Sequence, residues 1–261
     1  MKKTYVWAHR GASGYAPENT LASFRLAADF KADGIELDVQ MTKDGRLVVI
    51  HDETLGRVSD ETGWVKDYTY DQLRKINVNK HFPEFGTQCV PTLEEVYELI
   101  KPSNLTINAE LKTGVVFYPE IEEKVLELTQ KHGLENRVIY SSFNHYTIRK
   151  IRRLCPDAVT GMLYQDGLIR AVDYARNVVQ ADALHPAIYN VQYPEFFEEC
   201  RKHGMKVHVW TVNEEEHMRL LCEHETDAMI TNDPKLARRV VDEYENGKLV
   251  PEIVRKMEKV L

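Results

Sequence analysis

Several things are scarce in this 261-residue sequence, and each scarcity removes a class of protein. There are four cysteines, Cys89, Cys155, Cys200 and Cys222, with no CxxC pair and no metal-finger spacing. A disulfide framework and a zinc finger are therefore excluded, and buried free thiols in a reducing compartment are expected. Positive charge is not in excess: 34 Lys and Arg stand against 41 Asp and Glu, a net charge of −7. That leaves no electrostatic footprint for nucleic acid or for an anionic membrane surface. No apolar run approaches transmembrane length, and the run at Tyr5-Val6-Trp7-Ala8 is too short for the core of a signal peptide. A soluble cytoplasmic protein without stable membrane insertion is the expectation. No GxGxxG follows the first apolar run, which weakens the case for a dinucleotide-binding doubly wound sheet. Neither Ser141 nor Ser142 sits in a GxSxG turn, so no serine-hydrolase arrangement is indicated.

What is present is ample apolar content, 43% of residues, spread over a chain of the length typical of one α/β barrel. The most informative stretch runs from Gly34 to Asp52. Two short apolar runs flank Thr42-Lys43-Asp44-Gly45-Arg46. Strand side chains alternate faces, so Glu36 and Asp38 share one face while Ile35, Leu37 and Val39 share the other. Asp44-Gly45 reads as a two-residue hairpin turn. In that register Lys43 faces Arg46 and Asp38 faces His51.

Around this hairpin the pattern is regular. Tyr5–His9 reads as a first strand, and a helix opens at Glu18-Asn19-Thr20. Residues 53–90 read as a loop with a short helix over Tyr70–Ile76. Their apolar content looks too small for a separate core, and the position directly after His51 favours a functional excursion. Thr92 with Glu95 forms a capping box. Strands are then expected at Leu105–Leu111, Arg137–Ser141, Ala158–Leu163, Ala181–His185, Lys206–Val212 and Ala228–Thr231. Helices are expected at Tyr118–Lys131, His145–Leu154, Leu168–Arg176, Pro194–His203, Glu214–Glu223 and Pro234–Glu245. A surface helix is expected in the tail from Pro251 to Leu261. If Leu47–His51 is only the returning arm of a hairpin, eight strand–helix units remain, the number that closes a barrel.

In such a barrel the reactive groups stand at the carboxyl ends of the strands. There the sequence places His9 and Arg10, Glu36 and Asp38, and Glu110 and Lys112, with His185 and Trp210 further along. Three carboxylates aimed into one mouth repel one another unless neutralised, and a hard divalent cation with oxygen ligands, Mg²⁺ or Ca²⁺, is the simplest partner. Arg10 and Lys112 beside such an ion read as a phosphate site. His9 and His51 supply a general base and a general acid. His185 is a weaker candidate ligand, with a core or rim position the more ordinary reading.

With these residues in view the chain resembles the glycerophosphodiester phosphodiesterase family. The likeness rests on His9-Arg10-Gly11, Glu18-Asn19-Thr20, Glu36-Leu37-Asp38-Val39, Thr42-Lys43-Asp44-Gly45, His51-Asp52, Glu110-Leu111-Lys112, Trp210-Thr211-Val212-Asn213 and Thr231-Asn232-Asp233-Pro234. It implies an α/β fold, a TIM (βα)8 barrel with a small insertion after the hairpin arm. The whole chain, 1–261, would be one such barrel, with the insertion at about 52–91 and a tail at about 246–261. It implies one divalent cation on Glu36, Asp38 and Glu110, and His9 and His51 as the acid–base pair. Arg10 and Lys112 would lie near the phosphate, and Trp210 along the glycerol or alcohol side. One departure is Asn232, where many members have Asp; the neighbouring Asp233 is expected to compensate.

The implied reaction is metal-dependent hydrolysis of a small glycerophosphodiester to sn-glycerol 3-phosphate and an alcohol. The attacking hydroxyl is water or the substrate's own glycerol 2-OH. Two rivals remain. A lipid phosphodiesterase of the phosphoinositide or sphingomyelin type would need an apolar rim, and the segment 53–90 is too polar to provide one. A catalytically silent phosphate-binding barrel would not need the histidines and carboxylates together.

Overall fold

The computed structural model describes residues 3–193 and 195–247. The expected tail helix at Pro251–Leu261 lies outside these residues. The chain runs β1 (Tyr5–His9), α1 (Leu21–Asp29), β2 (Gly34–Met41), β3 (Leu47–Val49), α2 (Tyr70–Leu73), α3 (Leu93–Ile100), β4 (Thr106–Leu111), α4 (Ile121–His132) and β5 (Val138–Ser142). It continues through α5 (His145–Leu154), β6 (Val159–Tyr164), α6 (Ala171–Tyr174), β7 (Ala183–Pro186), α7 (Phe196–Lys202), β8 (Lys206–Val209), α8 (Glu215–Glu223), β9 (Ala228–Thr231) and α9 (Pro234–Glu245). Every strand but β3 pairs in parallel with its neighbours, and β9 pairs with β1 to close the ring. The fold is a TIM barrel, as the strand count anticipated.

Two helices on the site's side of the barrel start at caps that the sequence supplies. Thr20 and Ser23 form a capping box for α1, and Thr92 and Glu95 one for α3. The outward strand faces pack under these helices: Ile35, Leu37 and Val39 join Phe24, Ile107 and Tyr97 in one core cluster. A second cluster fills the opposite side between β6–β9 and α6–α9. Inside the barrel lie Trp7, Ala228 and Ile230.

β3 returns antiparallel along β2, as the hairpin reading requires, but one residue out of the expected register. Val39 pairs with Val49 and Met41 with Leu47. The loop is three residues long, not two. Thr42 N–H donates to Arg46 O at 3.0 Å, and Gly45 alone takes a left-handed conformation, φ +78°. Asp-Gly serves a three-residue loop as well as a two-residue turn, because Gly suits the single left-handed position. Asp38 therefore faces Ile50, whose N–H reaches Asp38 O at 3.0 Å, and His51 lies one step beyond.

The segment after β3 also departs from expectation. It gathers a cluster of its own, with Leu55, Val58, Val65, Leu73, Ile76 and Val78 packed on Val48 and Ile50. The apolar residues are few, but β3 contributes one face to them. The regular helix there is one turn, Tyr70–Leu73. Among the described residues no helix is long and apolar enough to cross a membrane.

Candidate active site

The hairpin excursion makes β2 and β4 direct neighbours, although β3 lies between them in sequence. Their parallel register sets Glu36 beside Asn108 and Asp38 beside Glu110. The alternation read from each strand thus becomes a square of polar side chains on one inner wall. Oxygens of Glu36, Asp38 and Glu110 lie within 4.8 Å of one another, and all three residues are buried.

The positive groups surround this cluster. Lys112 Nζ donates to Glu110 Oε1 at 2.9 Å and lies 3.6 Å from Asp38 Oδ1. Arg10 turns through a left-handed backbone, φ +54°, which aims its N–H at Glu36 Oε2, 2.9 Å away, and brings its Nε to 3.4 Å from Asp38 Oδ2. Asn19 Nδ2 donates to the same Asp38 oxygen at 2.8 Å. In the sequence Asn19 marks a helix start and belongs to the Glu18-Asn19-Thr20 motif, with no role at the carboxylates assigned to it. Its role becomes visible only when the β1–α1 loop folds over the mouth.

The charges are unequally shared. Burial disfavours charge on Glu36, and the carboxylates of Asp38 and Glu110 add to that, so its carboxyl is raised well above the usual range. Glu110 is also raised, by burial, with Lys112 opposing. Burial acts on Asp38 in the same sense, but Lys112 and Arg10 outweigh it and hold its carboxyl well below the usual range. Asp38 Oδ1 is buried with no hydrogen-bond partner. An orphaned carboxylate oxygen among three converging carboxylates fits a hard divalent cation, with Glu36, Asp38 and Glu110 as its ligands.

His9 and His51 face one cavity of about 160 Å³ that Arg10, Glu36, Glu110 and Trp210 also line. His9 Nδ1–H donates to Asn232 Oδ1 at 2.6 Å, which leaves Nε2 with its lone pair, 3.9 Å from Glu36 Oε2. Burial and the Arg10 charge push the His9 imidazole down to about 4, so it is neutral at pH 7. The expectation that Asp233 compensates for Asn232 is overturned. Asp233 caps α9 through Leu236 N–H and accepts from Tyr15 O–H, both at 2.8 Å, while Asn232 itself holds the histidine. His51 Nδ1 pairs with Asp52 Oδ1 at 2.5 Å.

Trp210 stands on the far wall, edge-on to Phe143 with ring centroids 5.4 Å apart. Its indole N–H donates to His185 O at 2.8 Å. His185 itself is no part of the carboxylate cluster. Its ring is fully buried, 2.8 Å from His208 Nδ1, in space left by Gly161. The ordinary core reading holds for that residue. Phe143 had no signal in sequence, because an aromatic after a strand is as often packing as lining.

The sequence profile described as "Glycerophosphoryl diester phosphodiesterase family" matches residues 9–236. The chain belongs to this family. A glycerophosphodiester phosphodiesterase of Caldanaerobacter subterraneus subsp. tengcongensis is 45% identical over 234 residues, covering 89% of this chain and 96% of that one. One solved structure, an Oleispira antarctica phosphodiesterase in complex with the product sn-glycerol-3-phosphate, superposes with a TM-score of 0.84 at 27% identity, covering 92% of this chain and 97% of that one. A glycerophosphodiester phosphodiesterase of Thermotoga maritima superposes with a TM-score of 0.76 at 28% identity, over 92% and 99%. The family's matched span begins at His9 and ends inside α9, so it takes in every residue of the cavity.

Proposed function

We propose that this chain hydrolyses glycerophosphodiesters to sn-glycerol 3-phosphate and an alcohol. The observation that carries the reading is the buried Glu36, Asp38 and Glu110 cluster, set between two histidines and two cations. A related fold with sn-glycerol-3-phosphate bound supports the product assignment.

A divalent cation, Mg²⁺ or Ca²⁺, held by the three carboxylates would polarise the phosphoryl oxygens and lower the pKa of the attacking hydroxyl. The chain's own residues do the rest. Arg10 and Lys112 balance charge that builds on the phosphoryl oxygens. His9 is neutral at pH 7 and has Nε2 free, so it takes the proton of the attacking hydroxyl, from water or from the glycerol 2-OH. His51 is the acid: oriented by Asp52, it gives a proton to the leaving alcohol. Trp210 and Phe143 form the wall against which the organic part of the diester rests. All four cysteines are free, which suits the reducing cytoplasm.

The test is a turnover panel over glycerophosphodiester head groups, with Mg²⁺ or Ca²⁺ added to purified protein. Release of glycerol 3-phosphate that EDTA abolishes and metal restores is the expected result. Absence of product from every diester, with either ion, refutes the reading.

A further inference from the structure

Most residues that line the catalytic cavity already have a place in the reaction. Two polar ones do not, Asn108 and Gln165. Asn108 is buried beside Glu36 in the β2–β4 register, on the carboxylate wall. Gln165 stands on the other wall. It follows directly on β6, and the ring of eight strands puts β6 opposite β1. Gln165 thus faces His9 and Arg10 across the mouth.

The local sequence aims this residue inward. Leu163 is buried and lines the cavity, while Tyr164 turns outward into the second core cluster. Alternation brings Gln165 back to the side of Leu163. The backbone here is held on two carbonyls. Asn190, itself buried, donates from Nδ2 to Gln165 O at 2.6 Å, and Ala187 N–H donates to Tyr164 O at 3.2 Å. The residue is exposed at the mouth, and among the described residues its side-chain amide makes no hydrogen bond. A fixed backbone that carries an unused donor and acceptor is suited to hold a polar ligand. The neighbours on this wall cannot do the same. Phe143, Leu163 and Ile230 have no polar side-chain atom, and the Trp210 indole N–H is committed to His185 O.

We infer that Gln165 binds the glycerol hydroxyls of the diester and so selects glycerol over other alcohols at that end. The inference rests on the proposed function and extends it to one end of the substrate. A vicinal diol offers donors and acceptors together, and a carboxamide answers both. Two points favour the glycerol over the head group. His51, which protonates the leaving alcohol, follows β3 next to β2. The alcohol therefore departs on that side, and the retained glycerol takes the wall of Phe143, Gln165 and Trp210. The cavity of about 160 Å³ is also smaller than the roughly 300–1,000 Å³ that encloses a drug-sized ligand. It holds a phosphoryl group with a short fragment and leaves a longer head group outside.

The experiment measures two affinities by calorimetry on the full chain loaded with Mg²⁺ or Ca²⁺. One ligand is sn-glycerol 3-phosphate; the other is n-propyl phosphate, which has the same carbons and phosphate without the hydroxyls. The ratio of the two is compared between wild type and Gln165→Leu. The variant is expected to lose about 3–10-fold of its preference for sn-glycerol 3-phosphate, the worth of a neutral hydrogen bond. In turnover, KM should rise alike for glycerophosphocholine and glycerophosphoethanolamine, because the glycerol is common to both. A thermal melt confirms folding, and Gln165→Ala gives the same change of ratio if the leucine variant aggregates. An unchanged ratio overturns the inference. So does a KM that rises for one head group and not for the other, which would assign Gln165 to the leaving alcohol. If the wild type neither binds sn-glycerol 3-phosphate nor turns over any diester, the proposed function fails and this inference falls with it. Wild-type turnover combined with an unchanged ratio in the variants refutes this inference alone.

Discussion

Arg57 grips Glu18 with two hydrogen bonds, of 2.7 and 2.8 Å, across the mouth of the barrel. The same guanidinium donates to Asp52 Oδ2 at 2.7 Å, and Glu18 accepts from Arg10 at 3.1 Å. A single residue of the segment after β3 thereby ties the orienter of His51 to the arginine at the phosphate site. Arg57→Ala is expected to lower kcat by about 10–100-fold, as losing a group that orients a reacting residue does. The side chain is partly exposed and outside the core, so the melting temperature should change little. Steady-state kinetics with a thermal melt of the same sample checks both. Wild-type kcat in the variant would mean that Asp52 alone holds His51.

The Asn232 amide beside His9 sets up a test of the general base. Replacing it with a carboxylate, Asn232→Asp, puts a negative charge within hydrogen-bond reach of the imidazole and raises its pKa from about 4. A nearby opposite charge typically moves a pKa by about 1–3 units. The base works when neutral, so activity is lost as pH falls through its pKa. The acid limb of the kcat/KM profile should therefore move to higher pH in the variant. An unmoved limb would remove His9 from the role of base.

His9→Ala should fold, keep its metal-induced stabilisation and lose about 10²–10⁴ in rate. It should also alter the pH dependence of stability in EDTA. The folded-state pKa of His9 lies at about 4, below the 6.5 of an ordinary imidazole, so the unfolded chain takes up the proton first as pH falls. The wild type thus loses stability between about pH 6.5 and 4 through this group, and the variant does not. Melting temperatures of the two proteins measured across that window, relative to pH 7, should diverge with the wild type falling further.

The carboxylate cluster predicts opposite effects with and without metal. Burial and the like charges of Asp38 and Glu110 make the Glu36 carboxylate unfavourable in metal-free protein. Glu36→Gln keeps the shape and an oxygen to accept from Arg10 N–H. It is expected to melt a few degrees higher than wild type in EDTA, and to lose the rise in melting temperature that Mg²⁺ or Ca²⁺ gives the wild type. Equal metal-induced shifts in the two proteins would show that Glu36 is not a ligand.

Gly161 leaves the space that the His185 ring occupies: a Cβ built there would come 2.1 Å from His185 Nε2. Gly161→Ala must displace the His185–His208 pair from the barrel interior, and overpacking of this kind costs about 1–3 kcal/mol or more. Urea denaturation should show the loss as a lower midpoint with an unchanged slope.

What the sequence determined by itself is local. The alternation that turns Glu36 and Asp38 to one side and Leu37 to the other is a property of any extended strand. The Thr92–Glu95 cap is complete within four residues, and eight strand–helix units follow from counting. These patterns were enough to assemble the carboxylates, Lys112, Arg10 and the two histidines into one site. The tertiary structure decided what depends on distant segments meeting. Asp44-Gly45 fits two loop lengths, and only the pairing of Val39 with Val49 chooses between them. Arg57 and Glu18 are 39 residues apart, and His9 and Asn232 are 223 apart, so no spacing rule joins them. The second pair meets because β9 closes on β1, which returns the end of the chain to its beginning.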